Sequence, residues 1–513
     1  MPNSVTTAER NNEDINLRNK LLEIGMEAHL FQDEEGELYA SVRTGGSYFT
    51  RSLDSEEIKL WLRRRLYLQH RQSASRYLLE EIIDTLKAEA ITNDIREKIF
   101  IRVGGDNNRI FIDNAGNNGF CTEITREGWH GRGEPSVRFV RPQGMRPFPG
   151  PLMSGINIDS LKRFINYGSE QQWKLLLAWM VSALMPNGPY PILILEGEQG
   201  TGKSTCSKIL MEMLDPCRAV LRGNPRSEAD LMLGAKNRWI TCFDNLSGAQ
   251  SWLSDALCRI ATGTGYSTRR LYTNNEEYTI EVARPIILNG IDQVATRADL
   301  IDRAIILRLP VINGRQRLEE AAVLRQVNEA MPDLLGGLYD AVSATLRNVD
   351  RVNLSERPRM VNYAVIGTAL EEHMGWPRGS FMAAYRENLS QASVVAVQTH
   401  PVLSRIVQMV ASTAFDGSST ELLDRLERID PYSQVSRNPL WPANPRALSQ
   451  LLNREAPNLR NLGINITLGR NSSGSAIHID RGTYLADVNG SNDASTRAVI
   501  QPNTPAQNNT YIH

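Results

Sequence analysis

The feature that most constrains the fold is a glycine-rich loop between a short apolar run and a helical pattern. Residues 191–196, Pro-Ile-Leu-Ile-Leu-Glu, are typical of a buried parallel strand. Gly197-Glu-Gln-Gly-Thr-Gly-Lys-Ser204 follows directly, and a helical pattern continues to Leu214. The glycines let successive backbone N–H groups face one anion, and the helix N-terminus adds its positive dipole end. The order of strand, loop and helix predicts an α/β domain with a phosphate-binding loop.

This loop has the pattern G-x-x-x-x-G-K-S, which indicates a nucleoside triphosphate bound with a metal ion. Lys203 is expected to reach the β- and γ-phosphates, and Ser204 to ligate Mg²⁺. The expected cofactors are therefore ATP and Mg²⁺. The alternative is a chance glycine-rich turn, which a match at every fixed position in this context disfavours. The predicted nucleotide-binding residues are Gly197, Glu198, Gln199, Gly200, Thr201, Gly202, Lys203, Ser204 and Thr205.

Two later apolar runs end in polar residues suited to the same site. Residues 239–243 lead into Asp244, whose carboxylate at the end of a neighbouring strand can hold the Mg²⁺ through water. Asn245 follows; it can orient a water molecule but cannot take its proton, so the general base stays unassigned. Residues 285–288 lead into Asn289, which we expect to sense the γ-phosphate and the attacking water from a strand between the other two.

A final apolar run, residues 304–309, follows an arginine. Arg303 is placed to project from the subunit edge into a neighbour's nucleotide as an arginine finger, which can raise kcat by about 10³–10⁵. Arg297 is the second choice. The alternative for both is a surface salt bridge with Asp299 or Asp302.

Patterning along the 513 residues predicts several units around this core. Residues 1–15 are expected to be disordered and 16–140 to form a small α+β domain, followed by a Pro- and Gly-rich linker at 141–155. The α/β core should cover 156–312 and a mostly helical region 313–395. The Asn/Ser/Thr/Gln-rich residues 483–513 are expected to form a disordered tail.

Residues 400–482 read as helix, helix, helix and then two short strands, which is winged-helix order. Asn444-Pro445 predicts the start of the third helix, with an N-cap followed by Pro at the first position. This helix carries Arg446, Gln450, Asn453 and Arg454 away from its leucines, and Arg470 lies in the turn between the strands. These side chains are suited to DNA bases or phosphates, although many winged helices bind protein instead.

Together these landmarks resemble the AAA+ ATPases. More closely, residues 195–205, 243–247, 260–265, 287–290 and 297–303 look like ATPases of phages and integrative elements, near the superfamily 3 primase-helicases and the MCM-like element helicases. The likeness is strong over about 155–390 and extends to 440–449 and 462–464. It implies a ring, expected to be a hexamer, that moves along DNA during replication of a mobile element. Asp244-Asn245 in place of Asp-Glu matches that subgroup.

The resemblance also implies a β-hairpin that reaches into the ring pore. Residues 267–272 and 278–282 are its expected strands, with 273–277 as the turn. Arg269 and Arg270 beside it would meet the phosphate backbone, whereas two Glu and no Lys at the tip argue against a contact there. A solvated surface hairpin is the alternative. In the helical lid, Pro358-Arg359-Met360 resembles the family's lid motif, which makes Arg359 a candidate second sensor of the γ-phosphate.

Composition narrows the remaining choices. Hydrophobic residues make up 41% and charged residues 22% of a chain with a net charge of −1, which is ordinary for a globular protein. The polar N-terminus, the five unclustered Cys and the lack of a long apolar stretch predict a cytoplasmic protein without a membrane partner. The expected function is an ATP-dependent DNA helicase or translocase, with a primase or another replication protein as a possible partner. A non-motor AAA+ switch, such as a defence ATPase or a loader, is the alternative.

Overall fold

The computed structural model describes residues 7–482, apart from 45–46, 117–118, 134, 152–154, 247, 270–276, 291–293, 314–317, 430–436 and 472–473. Among these residues, no helix combines the length and apolarity that a bilayer crossing requires. The expected tail at 483–513 lies outside the described residues.

The first unit has an apolar core of its own, and two of its helices begin at serine N-caps, Ser55 and Ser75. It begins with a helix at Thr7, so the expectation of disorder over residues 1–15 is wrong from Thr7 onward. Its three strands form an antiparallel sheet in chain order, the second and third helices pack on this sheet, and the first helix packs on those two helices. The elements are α1 (Thr7–Met26), β1 (His29–Gln32), β2 (Leu38–Thr44), β3 (Ser47–Ser52), α2 (Glu56–His70) and α3 (Arg76–Asn93).

The next segment is made of short strands and turns and belongs to a different core. Its apolar side chains, such as Ile101, Ile110 and Ile124, are buried in one cluster with the central domain. The expected single domain at 16–140 is therefore divided near residue 94, because its second half packs on the centre. The strands are β4 (Ile99–Phe100), β5 (Val103–Gly105), β6 (Ile110–Asp113), β7 (Cys121–Ile124), β8 (Trp129–Arg132) and β9 (Arg138–Phe139), with β5-β6-β7-β8 forming an antiparallel meander.

One buried arginine joins this segment to the centre. Arg102 is fully buried, and its Nε donates to Oδ1 of Asp215 at 3.0 Å. Its remaining nitrogens donate to the carbonyls of Asp113, Arg146 and Pro216. Phe148 lies under the guanidinium at 4.9 Å. Residues 146–148 are thus packed against the centre, which corrects the expectation of a free linker at 141–155.

The central domain is a parallel sheet with helices on both faces, which confirms the expected α/β class. The strand order is β11-β14-β10-β15, and all neighbours are parallel. Alternate residues of β10 enter the two cores: Leu193 and Leu195 on one face, Ile192 and Ile194 on the other. Besides a 3₁₀ turn at Ile158–Arg163, the elements are α4 (Glu170–Ala183), β10 (Ile192–Glu196), α5 (Lys203–Leu214), α6 (Glu228–Lys236), β11 (Thr241–Phe243), α7 (Ser251–Thr262), β12 (Tyr266–Arg269), β13 (Glu277–Ile280), β14 (Ile286–Gly290), α8 (Ala298–Ile301) and β15 (Ala304–Arg308).

Three long helices follow and pack on α4 and α5. They are α9 (Glu320–Asn348), α10 (Val361–Met374) and α11 (Ser380–Thr399). The last of these crosses the expected boundary between 395 and 400, and its Val397 is buried in the C-terminal core. The helical region and the C-terminal unit therefore share a helix.

The C-terminal unit has the order helix, strand, helix, helix, strand, strand. Its antiparallel sheet has the order β16-β18-β17. Asn444 caps the third helix of this unit and Pro445 is its first residue, as the sequence predicts. Ser418 caps the second helix. The elements are α12 (Pro401–Ser412), β16 (Phe415–Gly417), α13 (Ser419–Arg428), α14 (Pro445–Asn461), β17 (Ile464–Asn471) and β18 (Gly474–Arg481).

Candidate nucleotide-binding site

The glycine-rich loop, residues 197–202, connects β10 to α5 at the carboxyl edge of the sheet, where its parallel strands end. Gly197 has a φ of +151°, and a Cβ there would lie 2.8 Å from the carbonyl oxygen of Leu309. Thr201 is 1% exposed and donates to the carbonyl of Glu198. Asn166, which sequence reasoning missed, donates to the carbonyls of Thr201 and Pro310. These hydrogen bonds hold the buried side of the loop in place, and Glu198 and Gln199 form its exposed side.

Helix α5 begins with its first N–H groups free of any side-chain cap. Its N-cap is Gly202 at a φ of +81°, and no side-chain hydrogen bond caps it. Uncapped N–H groups at a helix N-terminus are suited to an anion. Lys203 donates to the carbonyls of Gly197 at 2.6 Å and Glu198 at 2.8 Å, so its ammonium lies over the loop. Partial burial lowers the pKa of Lys203, and nearby Asp244 opposes that shift.

The two predicted metal ligands meet across the edge of the sheet. The hydroxyl of Ser204 donates to Oδ1 of Asp244 at 3.0 Å. Asp244 directly follows β11, which is separated from β10 by β14. A hydroxyl and a carboxylate oxygen at this spacing form part of an oxygen ligand set of the kind Mg²⁺ prefers. The residues present therefore fit a magnesium–nucleotide complex.

Asn289 orients the turn after Asp244. It is 1% exposed, its Oδ1 accepts from the Asn245 N–H at 2.8 Å, and its Nδ2 donates to Ser207. Asn245 has a φ of +58°, a left-handed conformation that Asn tolerates. In this structure both ends of the Asn289 amide are engaged within the protein. The amide holds the Asp244–Asn245 turn here, and its role as a γ-phosphate sensor stays a prediction.

Other residues also differ from their expected place. Thr205 donates to Glu320 of α9 at 3.0 Å, so its hydroxyl faces the helical region and not the loop. An open cleft beside Asp244 is lined by Arg222 and Asn224, which sequence reasoning missed. The Arg222 carbonyl accepts from the Asp244 N–H at 2.8 Å. Arg222 also forms a parallel β-bridge with Phe243, the last residue of β11. In the sequence, only the short apolar run at 219–221 indicated an extended segment there.

Of the two finger candidates, Arg303 lies at the amino edge of the sheet, where its strands begin. The Arg303 carbonyl accepts from the N–H of Ile192, the first residue of β10. Its guanidinium is half-buried and donates to the Asp299 carbonyl, and its Nε has no partner among the described residues. Arg297 instead makes ion pairs with Asp255 at 2.8 Å and Asp299 at 2.9 Å. This is the salt bridge that the sequence left open as the alternative for Arg297.

Arg359 also lies at the amino edge. It is exposed and is close enough to Asp302 to lower that carboxyl's pKa, although burial raises the pKa more. Three residues after it, Asn362 donates to the Gly188 carbonyl on the segment that enters β10. The length of β10 from Ile192 to Glu196, about 13 Å at the usual rise, separates this edge from the loop. Arg359 therefore does not contact its own chain's glycine-rich loop, and its role as a second sensor of the γ-phosphate stays a prediction.

The predicted DNA-contacting residues of α14 share an exposed surface. Arg446, Gln450, Asn453 and Arg454 are all exposed. Asn453 donates back to the Ser449 carbonyl, and Arg454 donates to Glu455 at 3.1 Å. Arg470 lies on β17 opposite Ser475, and its side chain is outside the described residues. Arg269 ends β12, again without a described side chain, while Arg270 and the hairpin tip lie outside the described residues.

The opposite side of α14 packs against the amino edge. Glu455 is 2% exposed and accepts from Asn458, and α14 packs on α8, whose first residue, Ala298, lies close enough to lower the pKa of Glu455. Burial raises the pKa of this carboxyl. Helix α8 lies between Arg297 and Arg303, so the C-terminal unit directly contacts the element that carries both candidate fingers.

Two family models match adjoining parts of the chain. The model for the actinomycete integrative conjugative element replication protein matches residues 158–393. The model for the C-terminal domain of the same proteins (AICE RepA) matches residues 402–493. Together they span more than half of the chain, and they define a replication protein of a mobile element. The chain belongs to the replication proteins of actinomycete integrative conjugative elements.

Comparisons with individual proteins add little. No curated protein matches the chain. Among solved structures, "The A form apo structure of NrS-1 C terminal region-CTR" is similar, with a TM-score of 0.39 and 9% identity over 91% of this chain and 98% of that chain. A second apo structure of the NrS-1 C terminal region has a TM-score of 0.37 and 10% identity over the same shares.

Proposed function

We propose that this replication protein is a ring-forming AAA+ ATPase that translocates along DNA, as a helicase, during replication of its element. The observation that carries the ATPase part is the Ser204–Asp244 contact of 3.0 Å beside Lys203 and the uncapped start of α5. Loop, helix N-terminus, ammonium, hydroxyl and carboxylate are the groups that a magnesium–ATP complex requires.

In this proposal the chain's own residues have separate tasks. The loop N–H groups and Lys203 bind the phosphates, while Ser204 and Asp244 hold the metal, whose charge favours attack on the γ-phosphate. Asn289 keeps the Asp244–Asn245 turn in place. Arg303 cannot reach its own loop across the sheet, so we assign it to the nucleotide of a neighbouring subunit. A ring, which we take to be a hexamer, follows from that assignment because each site then needs two chains.

The DNA part of the proposal depends on the C-terminal unit. Its element order and the exposed polar face of α14 favour a winged helix that contacts DNA through Arg446, Gln450, Asn453 and Arg454. Contact between Glu455 and α8 gives a route by which DNA on that face would shift Arg303. Two Glu near the hairpin tip, at positions 276 and 277, favour the other candidate, a switch that hydrolyses ATP without moving along DNA.

A forked-duplex unwinding assay run beside a DNA-stimulated ATPase assay tests the proposal. The proposal predicts that the wild type hydrolyses ATP, that DNA raises the rate, and that the fork is unwound only with ATP. Hydrolysis without unwinding on any fork would favour the switch. Deleting residues 400–513 should lower affinity for duplex DNA and leave ATP binding intact; unchanged duplex affinity would make the C-terminal unit a protein-binding one.

A further inference from the structure

A narrow cleft lies between the first unit and the segment that packs on the centre, far along the chain from the glycine-rich loop. Strand β3 forms one wall and strand β9 the other, joined by a parallel bridge between Thr50 and Val140. Three arginines line the cleft, Arg51, Arg138 and Arg141, together with a single carboxylate, Asp113. The lining therefore has an excess of positive charge in a partly enclosed space.

The three arginines are not equally satisfied. Arg141 forms a bidentate pair with Asp113, at 2.8 Å for each nitrogen, and this uses the one carboxylate of the lining. Arg138 donates to Glu97 at 2.6 Å. Arg51 has only its neighbour's carbonyl at 2.9 Å and the exposed Glu57 at 3.9 Å. Its Nε is buried without a hydrogen-bond partner in the described part of the chain.

Burial makes this arrangement costly for Arg51. Its side chain is only 15% exposed, and a buried N–H without an acceptor costs about 1–3 kcal/mol. Burial lowers the pKa of Arg51, and the cation of Arg141 lowers it further, against the opposing carboxylates Glu57 and Asp113. An anion in the cleft would supply the missing acceptor and offset the repulsion between the guanidinium groups.

Aromatic rings flank these cations. The Arg51 guanidinium lies 4.1 Å from the Phe49 ring centre, and that of Arg138 lies 5.8 Å from Tyr48. Tyr48 is 42% exposed at the rim, and Phe139 lines the wall opposite. Planar guanidinium groups suit phosphate, and exposed aromatic faces stack with bases of any sequence. This combination selects a nucleotide over a simple anion or an acidic side chain.

We propose that this cleft binds a nucleotide unit, with its phosphate at Arg51 and Arg138 and its base against Tyr48. The unit comes either from a DNA strand or from a free nucleotide, and both offer the same chemistry. Because the two walls belong to different cores, an occupied cleft would tie the first unit to the central domain. The inference does not depend on hydrolysis at the glycine-rich loop.

Binding is measured on the full chain carrying Lys203→Ala, so that the glycine-rich loop contributes little. The probes are fluorescent dT12, AMP and inorganic phosphate. Arg51→Gln should weaken binding of dT12 about tenfold, with Arg51→Lys intermediate. Tyr48→Ala, at an exposed position, should weaken it by a similar factor through lost stacking. Arg64→Gln, an exposed arginine on α2 outside the cleft, removes the same charge and should change affinity less than twofold.

A crosslink locates the site independently of affinity. A dT12 carrying one 5-iodouracil should crosslink under ultraviolet light to the peptide containing Tyr48, and Arg51→Gln should remove that product. If Arg51→Gln lost binding of AMP and phosphate but left binding of dT12 unchanged, the cleft would be assigned to a free nucleotide. Unchanged binding of all three probes in Tyr48→Ala and in a folded Arg51 variant, with no crosslink at Tyr48, would overturn the inference.

Discussion

The two edges of the parallel sheet carry complementary halves of one proposed site. The carboxyl edge has the loop with Lys203 hydrogen-bonded to it, and the hydrogen-bonded Ser204–Asp244 pair. At the amino edge Arg303 and Arg359 lie near Asp302 and far from that loop. In a single chain, therefore, Arg303 and Arg359 do not reach the nucleotide-binding residues of the carboxyl edge. They lie instead at the amino edge, away from that chain's own nucleotide site. Hydrolysis should therefore depend on contact between the carboxyl edge of one chain and the amino edge of another.

The largest expected loss of ATP hydrolysis follows substitution of Lys203, at the carboxyl edge. Lys203→Ala removes the ammonium that lies over the loop, so we expect hydrolysis to be abolished in a steady-state phosphate-release assay. Lys208→Ala is the matched control, since Lys208 lies on the same helix and pairs with Glu320. An active Lys203→Ala enzyme would remove the nucleotide site from the carboxyl edge. Asp244→Ala should abolish turnover as well, through loss of the metal.

The amino edge is broken at Arg303. Arg303→Ala should bind ATP normally, because the loop and metal ligands are untouched, and should lose on the order of 10³-fold in kcat. Arg297→Ala is the informative comparison, since Arg297 is held by Asp255 and Asp299 and should mainly affect stability. The two effects separate when equilibrium ATP binding and single-turnover hydrolysis are measured side by side. If Arg297→Ala were inactive and Arg303→Ala active, the finger would be Arg297.

Arg102 holds the C-terminal end of α5, the helix that follows the glycine-rich loop, and so helps to keep the carboxyl edge rigid. Arg102→Met should destabilise the folded protein by about 3–5 kcal/mol, since it leaves Asp215, the C-cap of α5, buried and unpaired. Chemical denaturation measures this change. Arg109→Met, in a pair where Arg109 is 47% exposed, should cost about 1 kcal/mol or less. Equal losses in the two variants would contradict the role of Arg102.

The smallest expected effect concerns His400, in the unit that packs on the amino edge. Burial, with a further contribution from Arg454, lowers the pKa of His400 to about 4. A depressed histidine pKa adds stability above the unfolded value near 6.5, and that stability is lost as pH falls toward 4. For a partly exposed side chain we expect about 2 kcal/mol. His400→Asn keeps an acceptor for the Val402 N–H. The melting temperature of this variant should depend less on pH between pH 4 and 6.5.

The two edges also differ in how far the sequence predicts them. Strand β10, the loop and α5 follow from contiguous residues, and the predicted helix at 203–214 has the observed bounds. That Ser204 meets Asp244 follows from the rule that parallel strands end at one edge. The position of Arg359 depended on how α10 packs against the start of β10, a contact between distant segments that no local pattern encodes. The hydrogen bonds of the Asn289 amide to Asn245 and Ser207 also join distant segments, and no local pattern encodes them.

The N-terminal half was the least predictable part of the chain. Its short strands and turns were visible in the sequence, but their division between two cores was not. That division depends on Arg102, which is 113 residues from Asp215 and lies in a left-handed conformation at a φ of +62°. A lone arginine after three apolar residues gives no sequence signal for such a contact. Residues 7–15 were expected to be disordered because they are polar, yet they begin α1.

Mixing two inactive variants, Lys203→Ala and Arg303→Ala, tests whether one nucleotide site is shared between two chains. Lys203→Ala subunits keep an intact Arg303, and Arg303→Ala subunits keep an intact loop. In a ring assembled at random from equal amounts, about a quarter of the interfaces join an intact loop to an intact finger. ATP hydrolysis should reappear on mixing, well above the sum of the rates of the separate variants. If the two variants associate and the mixture stays as inactive as its components, the edges do not form a shared site.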